Sequence, residues 1–193
     1  MPIKRQPKDK LERVIRLKIG KSFRLLGFWD RHEQDFGPTF VERPDLFCYN
    51  FFGPTVVVEV KRITSLKRDE AHFDLDQIRD GQRKWMDRAV YFGGAGNNIY
   101  LAIGTAFSPE RVWLIPWKIW VDFEKSWVNM RPSNLHIPIG TLEITFPFYG
   151  LVLHEKSGLW DLTKHPVGLL EHSKPRVLPK DFVPISLRFG KEK

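Results

Sequence analysis

A chain of 193 residues, 42% hydrophobic and 28% charged, is long enough to bury one substantial core and too apolar to stay unfolded throughout, so pervasive disorder is excluded. Its 31 basic residues outnumber 23 acidic ones, a net charge of +8, which favours a polyanionic partner over a neutral one. One cysteine, Cys48, forbids an internal disulfide, and no apolar run approaches the ~20 residues of a spanning helix, so a cytoplasmic protein with no membrane partner is expected.

Leu11, Val14, Ile15 and Ile19 recur at helical spacing with basic residues between them, predicting an amphipathic helix over residues 10–26 that ends near Gly27. Residues 28–44 are aromatic, polar and interrupted by Gly37-Pro38, and read as an irregular approach to the core. Residues 45–51 and the β-branched run "VVVEVKR" (56–62) flank the turn signal Gly53-Pro54 and predict an antiparallel hairpin. "DLDQIRDGQRKWMDRAVYF" carries Leu75, Ile78, Trp85, Met86 and Ala89 at intervals that predict a helix, with Gly81 a possible point of close approach. "IYLAIGTAF" and "RVWLIPW" read as two further buried strands. The element order predicts an α/β fold with a mixed central sheet flanked by helices, not alternating βαβ units. Beyond Trp127 the signals thin into short strands and a tail from about Pro166. Residues 1–127 are therefore expected to form the core and 128–193 an extension packed on the same domain.

Side chains alternate across a strand, so Glu59 and Lys61 project from one face while Val56, Val58 and Val60 line the other. Asp45 opens the neighbouring strand, and hairpin pairing brings its carboxylate toward Glu59. Adjacent carboxylates repel unless a cation lies between them, and an all-oxygen donor set suits Mg²⁺, with Mn²⁺ able to substitute. The six histidines are scattered without ligand spacing and are expected at the surface or in turns. Trp113, Trp117, Trp120 and Trp127 are read as core or dimer contacts in preference to base-stacking platforms.

Pro44-Asp45, thirteen residues, then Glu59-Val60-Lys61 resembles the motif of the PD-(D/E)XK nuclease superfamily. "FDLDQIRDGQRKWM" resembles the following helix of RecU-type and archaeal-type Holliday junction resolvases, whose glutamine faces the active site; Gln82 matches it, with Gln77 as the fallback. The resemblance spans roughly residues 10–127. It implies a restriction-endonuclease-like core and a homodimeric, metal-dependent endonuclease that places paired nicks in four-way DNA junctions. Asp45, Glu59 and the Val60 carbonyl would hold the ion, and Lys61 and Gln82 would serve the chemistry. The family often has an acid on its first helix near the metal. Glu12 is the matching residue, although a solvated partner for Arg16 one turn on is the stronger reading of it. Lys10, Arg13 and Lys21 on the first helix, and Arg62, Lys67 and Arg68 after the motif, are the expected phosphate contacts. Alternatives are the same core acting on other branched, flap or duplex DNA, and a non-catalytic DNA-binding protein of this fold.

Overall fold

The computed structural model describes residues 8–32, 44–49, 55–63, 65, 67–92, 98–105, 110–154 and 157–166. Along the chain lie helix α1 (Lys8–Leu25), strands β1 (Trp29–His32), β2 (Leu46–Tyr49), β3 (Val56–Arg62) and β4 (His72–Asp74), and helix α2 (Asp80–Phe92). Strands β5 (Ile99–Gly104) and β6 (Arg111–Pro116), helix α3 (Trp117–Met130), strand β7 (His136–Pro138), helix α4 (Ile139–Thr145) and strands β8 (Gly150–His154) and β9 (Leu159–Trp160) follow.

Seven of these strands form one sheet in the order β1-β2-β3-β5-β6-β8-β9. Only β3 and β5 run parallel, joined through α2; the other neighbours are antiparallel. The expected α/β fold with a mixed sheet and flanking helices is therefore what the chain adopts. The predicted β2–β3 hairpin pairs Leu46 with Val58 and Phe47 with Val57. β8 and β9 extend the sheet that begins with β1, so Gly150–His154 and Leu159–Trp160 are part of it.

The even-numbered valines of β3 and the odd-numbered residues face different cores. Val56, Val58 and Val60 pack with Ile15, Ile19 and Phe23 of α1. Burying those three α1 side chains contributes roughly 5–9 kcal/mol before entropy is counted. On the other face, Val57, Leu101 and Ile103 pack with Met86 of α2 and with Trp117, Trp120 and Trp127 of α3. The four tryptophans named from sequence are thus core residues. α1 ends as its glycine predicts. Gly27 takes φ +82°, its N–H donates to the Arg24 carbonyl, the Phe28 N–H donates to the Phe23 carbonyl, and the two phenylalanine rings meet edge-on at 5.5 Å.

Several elements differ from expectation. A strand, β1, occupies the start of the segment expected to be irregular, and Trp29 to His32 add an edge to β2. α2 begins at Asp80, five residues later than Leu75, which instead sits in a 3-10 turn at Leu75–Gln77. Arg83 holds that turn off the helix axis: its Nε donates to the Ile78 carbonyl at 3.1 Å and its Nη2 to the Leu75 carbonyl at 3.0 Å. Gly81 consequently falls in the first turn of α2. The strand signal of "RVWLIPW" stops at Pro116, and Trp117 starts a 14-residue helix where none was expected. β4 and β7 pair apart from the main sheet as a small ribbon. The tail from residue 167 onward lies outside the described residues.

Candidate active site

The β2–β3 register, continued one residue past Leu46↔Val58, sets Asp45 across from Glu59. The Val60 N–H donates to Asp45 Oδ2 at 2.8 Å, which fixes the carboxylate against β3. Arg16 of α1 reaches Asp45 Oδ1 with Nη1 at 3.5 Å. Asp45, Glu59, Lys61 and Arg16 are all buried, and Glu59 is fully so, at 0% exposure.

Glu59 divides its two oxygens unequally. Oε1 accepts from Lys61 Nζ at 2.6 Å and from Gln82 Nε2 at 2.5 Å. Oε2 is buried with no hydrogen-bond partner. A buried carboxylate oxygen left unpaired is costly, and a proton or a cation is what relieves it. Gln82 is locked from three sides. It sits in the first turn of α2, its Oε1 accepts from Lys61 Nζ and from the Arg79 N–H, both at 3.2 Å, and its Nε2 holds Glu59. The Arg79 contact is the reciprocal half of a helix capping box, so the start of α2 itself aims this side chain at β3.

Electrostatics follow from this packing. Burial, and then the Asp45 charge, push Glu59 well above the usual carboxylate range against the pull of Lys61. Glu12, half-buried on α1, is raised by burial and by Asp45, while Lys61, Arg62 and Arg16 pull it down. Burial favours the neutral amine of Lys61, but Glu59, Asp45 and Glu12 together outweigh it and hold the amine above its ordinary value, so it is an ammonium at neutral pH. Three carboxyl groups face three cations, so net charge alone does not require an ion; the unpaired Glu59 Oε2 is the feature that suits one. The donor set is oxygen, which fits Mg²⁺ or Mn²⁺.

The sequence-predicted residues are distributed as follows. Asp45, Glu59, Lys61 and Gln82 converge, the Val60 backbone joins them, and Glu12 lies within electrostatic reach. Gln77, the fallback, sits in the turn before α2 with its buried Nε2 unpaired, while Gln82 makes the contacts. Lys10, Arg13 and Lys21 are exposed along α1, and Arg62 is half-buried at the end of β3. Lys67 pairs with Glu70 at 3.4 Å, and Arg68 gives Glu143 two hydrogen bonds of 2.8 Å, so acids already face both cations.

Arg16 belongs to this cluster, and sequence reasoning placed it only on a solvated basic face. The available signal was its position four residues after Glu12, on the same helical face. Among the described histidines, His165 departs from the expected surface or turn placement, while His72 and His136 keep it. His165 is buried, with Nε2 2.6 Å from the Leu114 carbonyl, and burial lowers its pKa. His72 and His136 come together across β4 and β7.

Comparison of the chain with protein-family models, curated proteins and solved structures finds no match.

Proposed function

We propose that this chain is a metal-dependent DNA endonuclease with a restriction-endonuclease-like core, acting as a homodimer on four-way junctions. The observation that carries the reading is the buried Glu59 carboxylate across the hairpin from Asp45, one oxygen held by Lys61 and Gln82 and the other unpaired. The junction preference and the dimer rest on the resemblance of the Asp45, Glu59-Val60-Lys61 and Gln82 motifs. Two symmetric nicks also need two copies of one site related by a twofold axis.

Asp45, Glu59 and the Val60 carbonyl would hold Mg²⁺, with Glu12 the nearest further acid. When bound, such an ion polarises a phosphodiester and lowers the pKa of water. The remaining work falls to the chain. The Val60 N–H fixes the Asp45 carboxylate in place, and Arg16 offsets its charge. As an ammonium, Lys61 is a donor and not a general base; it orients the attacking water and offsets charge as the bond breaks. Gln82 bonds both Lys61 and Glu59, so it sets the angle between donor and acid. Phosphate affinity comes from exposed cations away from these groups.

Nicking of a labelled four-way junction, measured beside gel-shift affinity, tests the assignment. Asp45→Ala, Glu59→Ala and Lys61→Ala are each expected to lose cleavage by about 100-fold or more, as removal of a catalytic group commonly does, while junction binding persists. Cleavage at the wild-type rate in any of the three overturns the site. Equal cutting of junction, flap and linear duplex would leave a nuclease of this kind but remove the junction preference. No cleavage by the wild-type protein in Mg²⁺ or Mn²⁺, with binding intact, would favour a non-catalytic DNA-binding protein.

A further inference from the structure

β4 and β7 place three ligand-type side chains on one face of a short ribbon. Phe73 and Ile137 turn inward and are fully buried, so their neighbours His72, Asp74 and His136 point outward. Asp74 and His136 are direct cross-strand partners, and His72 precedes Asp74 by one pleat. His136 Nδ1 lies 2.5 Å and His72 Nε2 3.2 Å from the same oxygen, Asp74 Oδ1. One ligand atom from each of the three lies within 4.8 Å of the others.

The tautomer of His72 gives the cluster its meaning. Its Nδ1 lies 3.1 Å from the Glu70 carbonyl oxygen, which only accepts, so Nδ1 carries the hydrogen. In the neutral ring Nε2 then turns a lone pair toward Asp74 Oδ1, so the imidazole and the carboxylate are placed to share one cation. Metal-binding histidines characteristically donate their other ring N–H to a carbonyl in this way. The 3.2 Å separation also matches the edge of a tetrahedron of bonds near 2.0 Å, about 3.3 Å. His136 would swing outward by about 0.8 Å to reach the same edge, and its side chain, 62% exposed, has room to do so.

We propose that His72, Asp74 and His136 form a second metal site that takes a Zn²⁺-class divalent cation and clips β7 to β4. Two imidazoles and one carboxylate select late first-row metals over Mg²⁺. Three protein ligands leave a coordination position open to solvent or to an exogenous donor. The clip ties residues 72 and 136 together, and because a metal that binds only the folded chain stabilises it by mass action, Zn²⁺ also raises stability. This site is independent of the nuclease reading.

Titration calorimetry with Zn²⁺, in excess Mg²⁺ to occupy oxygen-only sites, tests it on wild type, His136→Ala and His72→Ala. The wild type is expected to take up one equivalent, and each variant to bind about tenfold more weakly or worse, since loss of even an outer partner costs ~10–100-fold. Co²⁺ in place of Zn²⁺ should show visible absorption in the wild type that both variants lack. Zn²⁺ should raise the thermal midpoint of the wild type and not that of His136→Ala, whose exposed position leaves folding intact by circular dichroism. No Zn²⁺ uptake by the wild type, or equal uptake by a His72→Ala/His136→Ala double variant, overturns the proposal.

Discussion

Glu59 is where burial and chemistry oppose each other most sharply. Burial raises its proton affinity, so between its ordinary value of 4.5 and its raised folded value the folded chain holds a proton that the unfolded chain has released. Raising pH through that window therefore lowers stability. Glu12, also raised, acts in the same direction, whereas His165, lowered by burial, acts in the opposite one below 6.5. Lys61, raised above 10.5, contributes stability that is fully present below that value and is lost only above it, outside this window. The informative quantity is thus the difference between wild type and Glu59→Gln. Without divalent metal, the thermal midpoint of wild type should fall more steeply with rising pH than that of the variant. Matching slopes would mean that the proton sits elsewhere. A divalent ion competes with the same proton, so Mg²⁺ affinity measured by calorimetry should rise with pH across this window in wild type.

Between α1 and β5, Gly104 leaves room for Ile15: an added Cβ would come within 2.6 Å of Ile15 Cδ1 and 2.9 Å of Ile15 Cγ2. Gly104→Ala should cost about 1–3 kcal/mol, as overpacking in a filled core does. Ile15→Ala removes all the clashing atoms, so the two changes should couple by about 0.5–3 kcal/mol in a denaturation cycle; strict additivity would place the helix further from the sheet. That docking was legible in the sequence because Leu11, Ile15 and Ile19 form a stripe and Gly27 ends it. The β2–β3 hairpin was legible from its β-branched run, and with it Asp45, Glu59 and Lys61. Gln82 was legible through its motif, although the helix that carries it starts later than its periodicity implied. Leu75 and Ile78 keep helical spacing but are drawn into a turn by Arg83, a contact invisible to periodicity. α3 carries Trp117, Trp120 and Trp127 at helical spacing. Their aromatic character merged with the strand before Pro116 and concealed it. The β4–β7 ribbon has three-residue strands from distant segments, too short for any local pattern, and so the histidine cluster it creates could not be read from spacing.

Across the whole molecule, two populations of cation separate. Lys10, Arg13 and Lys21 are exposed along α1, the helix whose Arg16 reaches Asp45 and so abuts the candidate active site. Arg68 instead forks onto Glu143 and Lys67 faces Glu70. A cation that neutralises a phosphate releases a counterion, which steepens the dependence of log affinity on log salt by about 0.9 per contact on duplex DNA; an ammonium or guanidinium already matched to an acid releases little. Changing Lys10, Arg13 and Lys21 together to Gln should therefore flatten that slope by about 2.7 if all three track the backbone. Nicking at saturating DNA should change little, because Asp45, Glu59, Lys61 and Gln82 remain. Arg68→Gln removes the same unit of charge and should leave the slope near its wild-type value. If both substitution sets lower it equally per charge, the net +8 acts as a diffuse field and α1 has no special place in DNA binding.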